Sequence, residues 1–166
     1  RMKTDRSIIA DLPDKVEMKT WAAMSKKQTV LYATLIENVR ETLEQSEGIQ
    51  RKGLILSTLM KCKQLCNHPA QYLGQELFAE KDSGKFARLR EICETIHDKR
   101  ERVLVFTQFK ELTEPLSRFL STIFGREGLV LHGSIPVGQR KALIERFQGP
   151  EYIPYFPDQL TELRTQ

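Results

Sequence analysis

Val103-Leu104-Val105-Phe106 is a continuous apolar run, too short for a buried helix and rich in β-branched and aromatic side chains. With no polar residue interleaved, it suits a strand covered on both faces of a parallel sheet. Leu129-Val130-Leu131 repeats the pattern on a smaller scale. Around these runs the spacing is helical. Phe86, Leu89, Cys93 and Ile96 define one face of a helix over residues 85–98, which the basic cluster Lys99-Arg100-Glu101-Arg102 ends. Leu112, Leu116, Phe119, Leu120 and Ile123 predict a second helix, with Pro115 tolerable only in its first turn. Leu143, Ile144 and Phe147 face inward on a third, over residues 136–147. Residues 152–156 read as one more strand, placed at an edge by Pro154. Helix and strand alternating in this way imply right-handed crossovers and an open α/β sheet.

The N-terminal half has another rhythm. Residues 1–15 are polar, end in Leu12-Pro13-Asp14, and read as a linker. Residues 16–23 alternate in a way that suits a strand. Ser25-Lys26-Lys27-Gln28 is a capping box, and Tyr32, Ile36, Val39 and Leu43 carry the helix onward to about Gln45. Gly48 and Gly53 bracket a turn or loose loop. Ile55, Leu59, Cys62 and Cys66 form the stripe of a second helix over residues 54–66, which Asn67-His68-Pro69 stops.

Composition narrows the class. The chain has 166 residues, 40% apolar and 29% charged, which suffices for a core and excludes a disordered or low-complexity chain. Three cysteines do not make a disulfide scaffold. No apolar run is long enough to span a membrane, and no apolar signal core follows the first residues. An intracellular location is the expectation. A net charge of +4, from 26 Lys and Arg against 22 Asp and Glu, permits an acidic partner without demanding one.

In open α/β sheets, ligands gather at the carboxyl ends of strands. Two such ends are readable here: Thr107-Gln108-Phe109-Lys110 and His132-Gly133-Ser134. Thr107 and Ser134 carry hydroxyls that can donate to phosphate, and Gly133 allows close backbone approach. Ordinary capping and turning chemistry explains the same residues. His132 reads as structural or phosphate-facing, since no carboxylate partner is visible. Arg140, Lys141 and Arg146 could face an acidic backbone or simply line a solvated helix. Lys110 and Arg126 are open in the same way. Ser83-Gly84-Lys85-Phe86 resembles the end of a phosphate loop, but Ala79 and Phe86 stand where that motif needs Gly and Ser or Thr. It reads as a helix start. Cys62, Cys66, His68, Cys93 and His97 could suggest zinc, but the spacing fits no finger or ribbon, and buried structural thiols fit better.

Taken in order, several strings resemble one family. Residues 59–69, Leu-Met-Lys-Cys-Lys-Gln-Leu-Cys-Asn-His-Pro, resemble the helix-ending signature of Swi/Snf-type DNA-dependent ATPases. Ser83-Gly84-Lys85-Phe86 followed by Leu89 is similar to the approach to their second motor lobe, and residues 103–109 to that lobe's first strand motif. Leu131-His132-Gly133-Ser134, with Arg140 and Glu145-Arg146-Phe147, is similar to the next one. Leu12-Pro13, Lys15, Glu17, Gln28 and Tyr32 fit the start of the lobe, and the match runs from about Lys3 to Phe156.

The resemblance implies an α/β fold: a partial, P-loop NTPase-like RecA lobe with a parallel sheet flanked by helices and an N-terminal helical insertion. It implies an inter-lobe linker over 1–15, a truncated second helicase lobe over 16–156 with its insertion at about 25–75, and an atypical tail over 157–166. It further implies that Thr107, Gln108, Phe109, His132, Gly133 and Ser134 contact the duplex DNA backbone, with Arg140 and Lys141 as weaker contacts. Such contacts position a protein and do not read sequence. ATP and Mg2+ belong to the full motor, an ATP hydrolase that remodels protein–DNA complexes. The phosphate loop of the first lobe is absent here, and so is the final motif with its arginine fingers, which are worth roughly a thousandfold or more in rate. This fragment is therefore expected to bind no cofactor or metal and to be inactive alone. Its expected partners are double-stranded DNA and the missing first lobe, with self-association through an exposed sheet edge. The alternative is a non-catalytic DNA- or protein-binding module derived from a helicase lobe.

Overall fold

The structure is a computed structural model that describes residues 16–159. The linker expected over 1–15 and residues 160–166 of the tail lie outside the described residues.

The capping box forms as the sequence predicts. Ser25 Oγ accepts from the Gln28 amide at 3.1 Å, and Gln28 Oε1 accepts from the Ser25 amide at 3.0 Å. It starts helix α1 (Lys26–Glu44), which packs on α2 (Gly48–Asn67). Helix α2 ends where proline demands it: His68, just before Pro69, is extended at φ −160° and ψ 136°. His68 then caps the short α3 (Pro69–Leu73). Its Nδ1 accepts from the Ala70 amide at 3.0 Å, so Nε2 carries the proton and donates to the Ala79 carbonyl, also at 3.0 Å.

Ser83 caps α4 (Gly84–Asp98), accepting from the Phe86 amide at 3.3 Å. Strand β1 (Val103–Thr107) follows, then α5 (Thr113–Phe124), α6 (Val137–Gln148) and β2 (Tyr155–Gln159). The two strands are parallel, with Val103 opposite Tyr155 and Thr107 opposite Gln159. Helices α4 and α5 cover one face, where Cys93, Leu120, Phe124 and Tyr155 pack with Val103 and Val105. Helix α6 covers the other face of β2, where Phe147 and Leu143 meet Leu129, Ile153 and Phe156. Arg102 ties the sheet's start to the loop after α6, donating to the carbonyls of Phe147, Gly149 and Glu151.

Several expectations are corrected. Residues 16–25 form no strand; they are irregular, and Val16, Met18 and Trp21 are more than 80% exposed. An alternating pattern makes a strand only when a partner supplies a ladder, and here the segment instead runs over the start of α4. A β-carbon on Gly84 would stand 1.6 Å from the Ala23 carbonyl oxygen, so only glycine fits there. The loop expected between Gly48 and Gly53 is the first turn and more of α2. One glycine inside a helix costs only about 1 kcal/mol against alanine, which packing on α1 outweighs. Strand β1 is covered on one face only, leaving Leu104 49% and Phe106 52% exposed. Ile144 is also exposed rather than inward, as are Ile55 and Leu59 on α2.

The remaining differences share one cause. Strand β2 runs through Gln159, so the first three residues of the expected tail belong to the sheet. It is central, not an edge, because residues 129–131 lie along its other side. Those residues make no regular strand and only a single bridge, Leu131 to Asp158. The amides of Leu129 and Leu131 donate to the carbonyls of Tyr155 and Pro157 at 3.1 and 2.8 Å, and the Gln159 amide donates to the Leu131 carbonyl at 3.0 Å. The missing rung is the one that Pro157, having no N–H, would have donated to Leu129. Pro154 lies one residue before the strand and breaks nothing.

Two outcomes test this account. Gln28 is buried at 1% exposure, and its side-chain amide also donates to the carbonyls of Leu65 at 2.9 Å and Cys66 at 3.3 Å while accepting from the Gly84 amide at 3.1 Å. Gln28→Leu strands those groups and is expected to cost about 2–4 kcal/mol, read as a lower urea midpoint at unchanged slope. Burial lowers the pKa of His68, against the opposing pull of its bond to Ala79. The folded pKa therefore lies below the unfolded one, and His68 contributes stability that is present above about pH 6.5 and lost as pH falls. The thermal midpoint should drop between pH 7.5 and 5.5, and His68→Asn should show a smaller drop from a lower start.

Candidate nucleic-acid interface

The carboxyl ends of β1 and of residues 129–131 flank the end of β2, so the two loops they launch stand on one rim. Lys110 Nζ donates to Ser134 Oγ at 2.5 Å and joins them. Gln159 holds the second loop from below, its Oε1 accepting from the Gly133 amide at 3.2 Å.

In the first loop, Thr107 is buried and its Oγ1 accepts from the Phe109 amide at 3.2 Å, which turns the chain at the strand's end. The Phe109 ring is buried among Phe86, Leu112, Leu116 and Phe119. Its side chain therefore fixes the loop from beneath, and its carbonyl accepts from the Leu112 amide at 3.1 Å. Gln108 is exposed and accepts from Lys63 Nζ of α2 at 3.3 Å. In the second loop Gly133 and Ser134 are exposed, while His132 is half-buried with its Nδ1 buried and unpartnered. Arg140 turns back onto this loop. Its Nε donates to the Ile135 carbonyl at 2.8 Å and its Nη2 to the Gly133 carbonyl at 2.9 Å. The Asp158 carboxyl is held above the usual carboxylate range by burial, and the Arg140 cation pulls it partly back. Lys141 points to solvent, with Glu145 at 3.6 Å.

The sequence-predicted residues thus divide. Gln108, Gly133 and Ser134 share an exposed rim; Thr107, Phe109 and Arg140 shape it; Lys141 stands outward on α6. Two cations join them that sequence reasoning left aside or undecided. Lys63 carries no signal of its own, because its proximity to Gln108, 45 residues on, is set by how α2 packs. Lys110 follows a readable strand end, but its partner Ser134 lies 24 residues away.

Ser83-Gly84-Lys85 has its donors engaged inside the fold. Ser83 Oγ donates to the Asn67 carbonyl at 2.6 Å, the Gly84 amide bonds Gln28, and Lys85 Nζ bonds Asn67 Oδ1 at 2.9 Å. This is a helix start and not a phosphate cradle. The cysteines need a correction too: Cys93 alone is buried, its thiol pushed up to about 11 by desolvation, whereas Cys62 and Cys66 are half-buried. Among the described residues no three His, Cys, Asp or Glu side chains gather as a metal site. His97 meets the Phe124 ring edge-on at 5.4 Å.

Comparison with known proteins agrees with this architecture. Residues 84–153 match the family described as helicase conserved C-terminal domain. The chain is 37% identical over 155 residues to the putative ATP-dependent helicase/translocase YwqA of Bacillus subtilis, covering 92% of this chain and 17% of that protein. The chain thus spans about a sixth of that relative's length. It superposes on the Sulfolobus solfataricus SWI2/SNF2 ATPase core in complex with dsDNA with a TM-score of 0.83 at 33% identity, over 96% of this chain and 34% of that one. The C-terminal domain of the Sulfolobus solfataricus SWI2/SNF2 ATPase aligns with a TM-score of 0.84 at 30% identity, over 89% and 64%.

Arg140→Ala should free the carbonyls of Gly133 and Ile135 and cost about 1–2 kcal/mol. With the cation gone, the Asp158 carboxyl should titrate at a still higher pH, measured by carbon NMR of its side chain.

Proposed function

Because the chain belongs to the Swi/Snf-type superfamily II ATPases as a helicase C-terminal lobe, we propose that its two strand-end loops hold the sugar–phosphate backbone of duplex DNA while a first lobe binds and hydrolyses ATP. The observation that carries this reading is the Lys110–Ser134 bond, which sets both loops on one rim with Lys63 alongside. The rim offers what a phosphate ester chain needs. It has two ammonium groups, a hydroxyl, an exposed carboxamide, and a glycine whose backbone a strand can approach closely. It turns no arginine fork outward to read a guanine edge, since Arg140 is turned inward onto its own loop. A related core has been solved in complex with dsDNA, which supports duplex DNA as the ligand.

ATP and Mg2+ fall to the complete motor. This chain's own Ser-Gly-Lys donors are engaged with Asn67 and Gln28, so that segment cradles no phosphate. Its part in the cycle is to carry the DNA-gripping rim with it when the two lobes close, and the parent protein thereby remodels protein–DNA complexes. The chain alone turns over no ATP.

Fluorescence anisotropy with a duplex of arbitrary sequence tests the proposal. Affinity should fall steeply with salt and change little between sequences. Lys63→Ala and Lys110→Ala should each weaken binding for all sequences alike and lower the salt slope by about 1. A flat salt dependence or a marked sequence preference would sink the assignment.

A further inference from the structure

Two cysteines line a groove that reaches the DNA-facing rim at Lys63 and Gln108. Cys62 and Cys66 lie one turn apart on α2, so they share a face with β-carbons about 5–6 Å apart. Both are free and half-buried. Both line one groove, of about 840 Å³, between α1, α2, α4 and the carboxyl end of β1. The Tyr32 hydroxyl stands within electrostatic reach of the two sulfurs: Cys62 most of all, then burial and Cys66, push its phenol up. Lys63 and Lys85 also line the groove, and its remaining walls are largely apolar, with Leu59, Leu89 and Phe106 among them. Cys93 faces none of this, lying fully buried between α4 and α5.

We propose that Cys62 and Cys66 form a two-sulfur site for one soft monovalent cation of the Cu(I) class, seated at the α2 wall of this groove. Two sulfurs on opposite sides of one ion stand two metal–sulfur bond lengths apart. Side chains one helical turn apart reach that separation without moving the backbone. Thiolates select soft ions, and Cu(I) is content with two ligands. Zinc completes a tetrahedron, and no third His, Cys, Asp or Glu joins the pair among the described residues. Calcium and magnesium take oxygen ligands, which the pair does not offer. On binding, each thiol gives its proton to solvent and each sulfur donates a lone pair to the ion; no electron is transferred. One Cu(I) with two thiolates carries one negative charge, and the ammonium groups of Lys63 and Lys85 on the same groove offset it.

The test is an anaerobic titration of the whole chain with Cu(I) supplied as its acetonitrile complex, in competition with a bicinchoninate chelator. The expected result is one ion per chain with a new near-ultraviolet sulfur-to-copper band. Cys62→Ser and Cys66→Ser should each weaken binding at least a hundredfold, while Cys93→Ser binds as the parent does. Circular dichroism confirms that each variant is folded. If Cys66→Ser does not fold, Cys62→Ser decides, since it removes the other sulfur of the pair. The proposal is overturned by one ion per chain persisting in Cys62→Ser, by one ion bridging two chains, or by Cys93→Ser abolishing the band.

Discussion

One carboxamide holds the two halves of this fold together. Gln28 begins as a local device, closing the first turn of α1, and ends as a long-range one. Its oxygen takes amide protons from Ser25 and Gly84, and its nitrogen reaches the last turn of α2 at Leu65 and Cys66. Three helix ends therefore meet at one buried side chain. Around it the same ends are stitched again: Ser25 Oγ donates to the Asp82 carbonyl at 2.7 Å, and Ser83 Oγ to the Asn67 carbonyl. Helix termini are where backbone groups go unpaired, so joining three of them satisfies donors and acceptors that burial would otherwise penalise. The position of α2 follows from this knot, and with it the reach of Lys63 toward the strand-end loop.

What the sequence made legible was local. The capping box, the stop at His68-Pro69, the helix at residues 85–98 and the strand at Val103–Phe106 each depend on neighbours within a turn or two, and each is in the structure. Pairing was not legible. Residues 16–23 alternate like a strand and have no partner; residues 129–131 look like a strand and are denied a rung by a proline 28 positions on. Coverage was not legible either, since a run such as Val-Leu-Val-Phe states that it is apolar, not which of its faces is met. Half of that run is met by α4 and α5 and half is exposed.

The candidate rim divides along the same line. Its two loops were readable because strand ends followed by small and polar residues have a known use. The tasks within them were not. Phe109 sits inside a motif yet serves the core, and Arg140 follows a motif yet holds its own loop. Lys63 was invisible because nothing within ten residues of it points to a loop 45 positions away. Side chains that touch across the chain are chosen by packing, and packing is the part a single sequence encodes only jointly.

Pro157 gives the sheet an uneven grain. The β1 side of β2 is bonded along its whole length, while the Leu129–Leu131 side lacks one rung. Local opening follows the weakest set of backbone bonds. Under a pull applied at His132-Gly133-Ser134, the seam beside Leu129 yields before the seam beside β1. The second loop is thus mounted on a compliant joint and the first on a stiff one. Two loops of unequal stiffness on one rim do not move together: the softer one is displaced first while the stiffer one keeps its place.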